Sequence, residues 1–349
     1  MTVRLTILVP AFNEANRLPA GLDRLDAAVA DGAVDVEETE VVVVDDGSTD
    51  ATAETARRLL AHLPHHRVIT LPVNGGKGAA IRTGLAQART PYVAYMDADM
   101  AIDPRAVPSL LEALVGSDVA IGSRALVDSM VDGTYAVRAV MGRLFNRLVT
   151  SGTGLGLQDT QCGFKAFRTP AARLLFHLVP IDRFAFDVEL LARARRLGLE
   201  ITEVPVQWRN VPDSTIHPLR DSVTMLSDVF RSRFGLLATP PVPGVVVRPR
   251  SGPDRASAVV AEPVSADRIA KVVSDTLDDA PVPVVTVGPS VVTLLPLVEP
   301  ADVAAVASAL RAEFDGLEVS RRALSLDALV AMGALSGRLR GASEPPGVG

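Results

Sequence analysis

The chain has 349 residues, of which 48% are hydrophobic and 22% charged; that supports one large domain with a small companion and excludes global disorder. A formal net charge of −6 argues against a general nucleic-acid binder. The single cysteine, Cys162, excludes an intramolecular disulfide and a cysteine-built zinc site, and fits a reducing compartment such as the cytoplasm.

The first 125 residues alternate strand and helix signals. Val3–Val9 predicts a strand, and Ala15–Ala30 a helix with Leu18, Leu22, Leu25 and Val29 on one face. Glu40–Asp45 contains four consecutive valines, the mark of a strand buried on both faces. Ala51–Leu63 predicts a helix capped by Ser48 or Thr49. Arg67–Leu71 and Lys77–Ala88 give a third strand and helix, Tyr92–Met96 and Pro104–Val115 a fourth pair, and Val119–Ile121 a fifth strand. This alternation predicts an α/β fold, a doubly wound and mostly parallel sheet. Beyond it, Tyr135–Leu157 reads as helical and then glycine-rich, Phe184–Leu197 as a helix, Ile201–Trp208 as a strand and Arg220–Leu237 as a helix.

Residues 1–238 are thus expected as one domain, followed by a Pro/Gly-rich linker over 239–264. A small α+β domain is expected over 265–340: a helix at Ala266–Leu277, a strand pair within Val284–Val298, a helix at Pro300–Phe314, a strand near Leu317–Val319 and a helix at Leu326–Leu335. Residues 341–349 read as a tail. The apolar run at Met1–Pro10 is too short for a signal peptide. With no stretch of about 18 apolar residues, no transmembrane helix is expected. Contact with a membrane would lie on its surface, through Val140–Val149 and Met225–Leu237, which mix apolar residues with arginines; the same pattern also fits helices packed on the core with charged outer faces.

Polar clusters follow each of the first four strands: Pro10–Glu14, Asp45–Asp50, Asn74–Gly78 and Asp97–Asp99. In a parallel sheet these ends share one edge, so the clusters converge on one crevice, where such sheets bind ligands. Asp97 and Asp99 are the candidate metal ligands. Two carboxylates at a strand end can hold Mg²⁺ or Mn²⁺ together with diphosphate oxygens, and the cation takes up charge on a departing nucleoside diphosphate. Asp45 and Asp46 lead into a helix N-terminus and suit a base, a ribose or a nearby anion. Gly75-Gly76-Lys77-Gly78 offers flexible backbone and one cation to a diphosphate, without the Walker spacing.

Arg124, just past the fifth strand, carries a planar fork suited to phosphate. Arg138 either shares that anion or, like Arg143, is a solvated helix charge. In the run Asp159–Lys165, Asp159 could act as a base or orient an acceptor, Lys165 could meet a phosphate, and Cys162 is expected buried and inert. Asp187 and Glu189 open a helix, either as partners of its dipole or as functional groups. His177 and His217 have no metal-ligand spacing.

Together these residues resemble family 2 glycosyltransferases of the GT-A fold, and within them the dolichyl-phosphate (polyprenyl-phosphate) sugar synthases, above all the β-glucosyltransferase group. The likeness runs through Val9–Glu14, Val43–Asp50, Gly76–Ala79, Asp97–Asp99, Gly122–Arg124, Asp159–Lys165, Phe186–Leu190 and Val204–Trp208, and covers roughly Val3 to Leu237. It implies an inverting, metal-dependent hexosyl transfer from a nucleotide sugar to a lipid phosphate. UDP-glucose is the implied donor, with GDP-mannose or a soluble phosphorylated acceptor as alternatives. A non-catalytic nucleotide-sugar-binding regulator is the reading from another class. By resemblance Pro10, Asn13, Glu14, Asp45 and Asp46 lie on the donor side, with Lys77 near its phosphates and Asp97 and Asp99 at the metal. Arg124 and Arg138 hold the acceptor phosphate, Asp159 stands where some relatives have a proposed base, and Gln161 and Lys165 lie beside the acceptor. Asp99, Asp159, Arg124 and Arg138 form the expected catalytic set. The single cysteine and the absence of a long apolar stretch give the expected location, the cytoplasm, with peripheral contact at the membrane face. The segment after Pro253 resembles nothing in the family.

Overall fold

The structure is a computed structural model that describes residues 3–132, 156–179, 181–182, 186–209, 239–249, 266–278, 280–281, 284–287, 290–314 and 317–331. Arg138, Arg143, His217, most of Tyr135–Leu157, the Arg220–Leu237 helix, both basic-apolar stretches and the tail lie outside these residues.

The expected alternation is present: β1 (Leu5–Ala11), α1 (Leu18–Ala30), β2 (Thr39–Asp45), α2 (Thr52–Leu60), β3 (His66–Thr70), α3 (Lys77–Gln87), β4 (Tyr92–Met96), α4 (Val107–Gly116) and β5 (Val119–Ser123). Val41 to Val44 are all buried, as a strand covered by helices on both faces requires. β1 pairs in parallel with β2 and β4, and β2 with β3. Their C-terminal ends therefore share one edge, and Ala11 lies opposite Asp45.

The seven-stranded order is β3-β2-β1-β4-β7-β5-β8. Here β7 (Phe164–Arg168) runs antiparallel to both β4 and β5, with Met96 opposite Phe164 and Ile121 opposite Lys165. The sequence reading did not find β7, because Lys165 and Arg168 break its apolar pattern. Both are buried. Arg168 Nη2 donates to Leu114 O at 2.9 Å, satisfying an end carbonyl of α4. Nor did it find α5 (Thr169–Leu178), which starts from Pro170 at a first-turn position. After α6 (Phe186–Arg196), the single strand expected at Ile201–Trp208 divides. β8 (Ile201–Pro205) extends the large sheet, and β9 (Gln207–Arg209) pairs with β6 (Met130–Asp132). The break falls at Pro205, whose missing N–H cannot continue a ladder. Ser48 and Thr49 do not cap α2; they are spent on the neighbouring loop, described below.

The span 239–264, read as a linker, holds β10 (Val242–Pro249). The consecutive valines Val245, Val246 and Val247 outweigh its two prolines, because Pro243 and Pro249 sit near the ends of the strand. With α7 (Ala266–Thr276), β11 (Val284–Val287), β12 (Ser290–Leu294), α8 (Pro300–Glu313) and β13 (Leu317–Leu324), β10 builds an antiparallel sheet of order β11-β12-β10-β13. This is a split βαββαβ arrangement, followed by the short α9 (Leu326–Ala331). One face of the sheet packs Val245, Val247, Val291 and Leu295 against α7 and α8. From the other, Val242, Val292 and Leu294 join the core that contains Leu174, Leu175 and Leu178 of α5.

His177 clasps this junction. Its Nδ1 accepts from Leu297 N–H at 3.3 Å, which leaves Nε2 to donate to Pro241 O at 3.0 Å. Burial holds His177 below its ordinary pKa, against the opposing pull of the Pro241 carbonyl. The unfolded chain therefore takes up this proton first, and stability falls as pH drops through about 6.5, levelling off below the folded value. In urea melts between pH 7.5 and 5.5, wild-type protein is expected to lose stability more steeply than His177→Gln; equal slopes would remove the clasp.

Candidate active site

The loops after β1 and β2 are stapled together. Asn13, at φ 54°, receives Thr49 N–H on Oδ1 at 2.9 Å and donates its own N–H to Ser48 Oγ at 2.9 Å. Glu14 N–H donates to Thr52 Oγ1 at 2.8 Å and Ala15 N–H to Asp50 Oδ2 at 3.2 Å. Asp45 accepts from Ser48 N–H at 3.1 Å. Asp46 reaches the third loop, accepting from Gly75 N–H at 2.8 Å, Gly76 N–H at 2.7 Å and Asn74 Nδ2 at 2.9 Å. Burial raises the Asp46 carboxyl above its usual range, more than these donors lower it. Gly47, at φ +72°, is pressed against the Val73 backbone, so a side chain there would separate the second and third loops. Asp45, Asp46 and Asn13 thus spend side-chain oxygens on holding these loops in shape.

The carboxylates after β4 occupy the middle of the crevice. Asp97 is half exposed, and its Oδ1 lies 2.6 Å from Lys77 Nζ. That ammonium sits over the Tyr95 and Phe186 rings, 5.4 and 5.8 Å from their centroids. Burial alone would lower the Lys77 pKa, but Asp97 and Asp187 outweigh it and raise it. Gly163 lies flush against Asp97: a Cβ there would stand 1.8 Å from Oδ2. Asp99 Oδ2 is 3.3 Å from Arg17 Nη1, and Oδ1 accepts from Ala101 N–H at 3.1 Å. Burial, then the Asp97 charge, raises the Asp99 carboxyl. Arg17 also grips Glu14, with Nε 2.8 Å from Oε2, and burial raises Glu14 as well.

On the far side of β4, Arg124 and Asp159 form a two-pronged pair, Nε to Oδ2 at 2.7 Å and Nη2 to Oδ1 at 2.9 Å; Arg124 N–H adds a third bond at 3.0 Å. Burial works to raise the Asp159 carboxyl, but Arg124 overrides it and holds it below the usual range. Glu203 accepts from the N–H groups of Gln158 and Asp159 at 2.9 and 3.0 Å and fixes the loop from below. Gln161 donates its N–H to Asp159 at 3.3 Å, so it belongs to the same knot. Lys165 does not face the crevice. It is fully buried, with Nζ 2.6 Å from Asp187 Oδ1 and 2.7 Å from Cys162 O. Cys162 is buried too, its thiol pushed up to about 12 by burial first, which makes it inert.

This arrangement has relatives. A model of Glycosyl transferase family 2 matches residues 6–176. A dolichyl-phosphate β-glucosyltransferase of Dictyostelium discoideum is 35% identical over 246 residues, 67% of this chain and 75% of that protein. The chain belongs to glycosyltransferase family 2. A human dolichyl-phosphate β-glucosyltransferase is likewise 35% identical over 252 residues, covering 68% and 76% of the two chains. The fold is that of a Mycobacterium tuberculosis glucosyl-3-phosphoglycerate synthase, solved with Mn²⁺, uridine diphosphate and glucosyl-3-phosphoglycerate. It shares 23% identity and a TM-score of 0.51, over 69% of this chain and 83% of that one.

For a family 2 site the residues present fit a divalent cation. Asp97 and Asp99 offer hard oxygens on the open side of β4, and the hollow left by Gly163 accommodates the Asp97 carboxylate. Among the described residues no group of three or more His, Cys, Asp and Glu gathers as a complete cage. A cation there would complete its shell with donor phosphates and water, as Mg²⁺ commonly does. Of the expected residues, the structure brings Pro10, Asn13, Glu14, Asp45, Asp46, Lys77, Asp97 and Asp99 to one edge, with Arg124, Asp159 and Gln161 beside them. It removes Lys165. The sequence reading missed Arg17, Tyr95, Gly163 and Glu203. Arg17 lies three residues after Glu14 and could have been found from that helical spacing; Gly163 gave no local signal, because its partner is 66 positions away.

Proposed function

We propose that this glycosyltransferase moves glucose from UDP-glucose to a polyprenyl phosphate of the dolichyl-phosphate type, with inversion and with a divalent cation at Asp97 and Asp99. The activity named for its 35% identical relatives supports glucose and the lipid phosphate. UDP follows from the family resemblance. The observation that carries the acceptor assignment is the Arg124–Asp159 pair.

A hydroxyl acceptor needs a general base, and Asp159, committed to Arg124 and held acidic, is poorly suited to take a proton near neutral pH. A phosphate monoester has its second ionisation near pH ~6 and attacks as an anion already. Arg124 then orients that anion, exchanging part of its bond to Asp159 for phosphate oxygens, and Arg138 is proposed to assist. On the donor side, Lys77 faces the leaving diphosphate, while Glu14 and the stapled loops of Asn13, Asp45 and Asp46 enclose the nucleoside. The cation would supply Lewis-acid stabilisation to the leaving group; all the positioning falls to these residues.

No helix among the described residues is long and apolar enough to cross a membrane. Access to a lipid acceptor is proposed to be peripheral.

Incubation with Mn²⁺ or Mg²⁺, polyprenyl phosphate, and UDP-glucose or GDP-mannose in parallel tests this reading. Glucolipid from UDP-glucose alone, abolished by EDTA and restored by metal, is the expected result. Sugar transfer only to a water-soluble phosphorylated acceptor would overturn the lipid assignment; lipid-linked mannose would overturn the donor.

A further inference from the structure

The sequence marks Lys165 as a phosphate contact and leaves Asp187 open, yet the two are buried together beneath the donor site. Asp187 Oδ1 receives Lys165 Nζ at 2.6 Å and also the Tyr95 hydroxyl. Lys165 spends a second donor on Cys162 O at 2.7 Å. One carboxylate thereby ties together β4 two residues before Asp97, the loop that leads into β7, and the first turn of α6.

What lies next to these ties is the Asp97 side chain. Gly163 follows Cys162, and the space its missing Cβ would fill is taken by Asp97 Oδ2. On the opposite side Asp97 is gripped by Lys77, which rests over the Tyr95 and Phe186 rings. The carboxylate is clamped between a cation seated on aromatic rings and a backbone segment anchored by a buried lysine. A shift of the Cys162 carbonyl would carry Gly163 into Asp97 or away from it.

We propose that Lys165 and Asp187 are positioning residues for the Asp97 carboxylate, acting through the Cys162–Gly163 backbone. The inference rests on the reading of Asp97 as part of the metal–diphosphate site. A buried ion pair of this kind contributes little net stability, and neutral replacements of both partners are often tolerated, whereas loss of one partner strands a charge. Stability and positioning are therefore separable by experiment.

Lys165→Met and Asp187→Asn are compared singly and together. Melting temperature is read alongside the affinity for UDP in the presence of Mn²⁺, titrated calorimetrically without acceptor. The single variants are expected to melt lower than wild type. The double variant is expected to recover most of that loss while binding UDP–Mn²⁺ at least about tenfold more weakly, with the KM for donor rising more than the KM for acceptor. A double variant that binds UDP–Mn²⁺ as tightly as wild type overturns the proposal and leaves the pair a structural one. Tyr95→Phe, which deletes one hydroxyl and no charge, decides the matter if the double variant does not fold. A severalfold loss of UDP–Mn²⁺ affinity at unchanged melting temperature supports positioning, and unchanged affinity overturns it. Wild-type protein that takes up neither Mn²⁺ nor UDP removes the donor-site reading itself, and this inference with it.

Discussion

Alanine at position 163 is expected to cut sugar transfer roughly a hundredfold, the scale on which a displacement of about 1 Å in a reacting group is felt, in a protein that still folds. An added Cβ would stand 1.8 Å from Asp97 Oδ2 and 2.5 Å from its Cγ. The half-exposed Asp97 side chain can escape outward into the crevice, so the fold survives and the carboxylate loses its place. It also loses its 2.6 Å contact with Lys77. The damage should therefore appear as a raised metal requirement and a lower kcat, with the circular dichroism spectrum and melting curve close to wild type. Asp97→Asn should be at least as damaging, and adding Gly163→Ala to it should cost little more, because both changes act on one group. Full activity in Gly163→Ala would show that the position of Asp97 is unimportant.

Arg124→Ala is expected to lower kcat/KM by about 10²–10³, the range seen when one charge-stabilising donor is removed from an active site. Asp159→Asn should cost roughly tenfold, since the amide still holds the loop through the Arg124 N–H but orients the guanidinium less well. The ranking follows from the acceptor: an anionic phosphate needs orientation more than deprotonation. The pH profile gives a second test. With Arg124 holding the Asp159 carboxyl below the usual range, Asp159 contributes no acidic limb above about pH 3.9. Phosphate ionisation near pH ~6 should shape the lower limb instead, and Asp159→Asn should leave that limb in place. If Asp159→Asn proves the more harmful change and erases the limb, Asp159 is a base and the acceptor is a hydroxyl.

The half of the candidate site built on β1 to β4 was legible because its signals are local. Buried strands such as Val41–Val44 announce themselves by composition, and each is followed at once by its polar cluster, so parallel topology alone brings Asp46, Lys77 and Asp97 together. The half around β5 and β7 was legible only in part. Lys165 read as a phosphate contact in a polar run, whereas burial with specific partners, Asp187 for Lys165 and the carbonyls at the end of α4 for Arg168, turns the end of that run into a strand. No pattern of spacing reports a partner that arrives from 22 or 51 residues away. The same limit hid β10: a strand whose neighbours β12 and β13 lie far ahead in the chain looks like a Pro-containing connector until its sheet is assembled.

The antiparallel strand β7 bears on how proteins of this kind diversify. It lies between the strand that delivers Asp97 and the strand that leads to Arg124, and its first residue is preceded by Gly163. An insertion or a change of pitch in it would disturb both halves of the reaction together. The run from Asp159 to Lys165 is therefore poor ground for evolutionary experiment, since a new acceptor preference gained there would be paid for in donor handling.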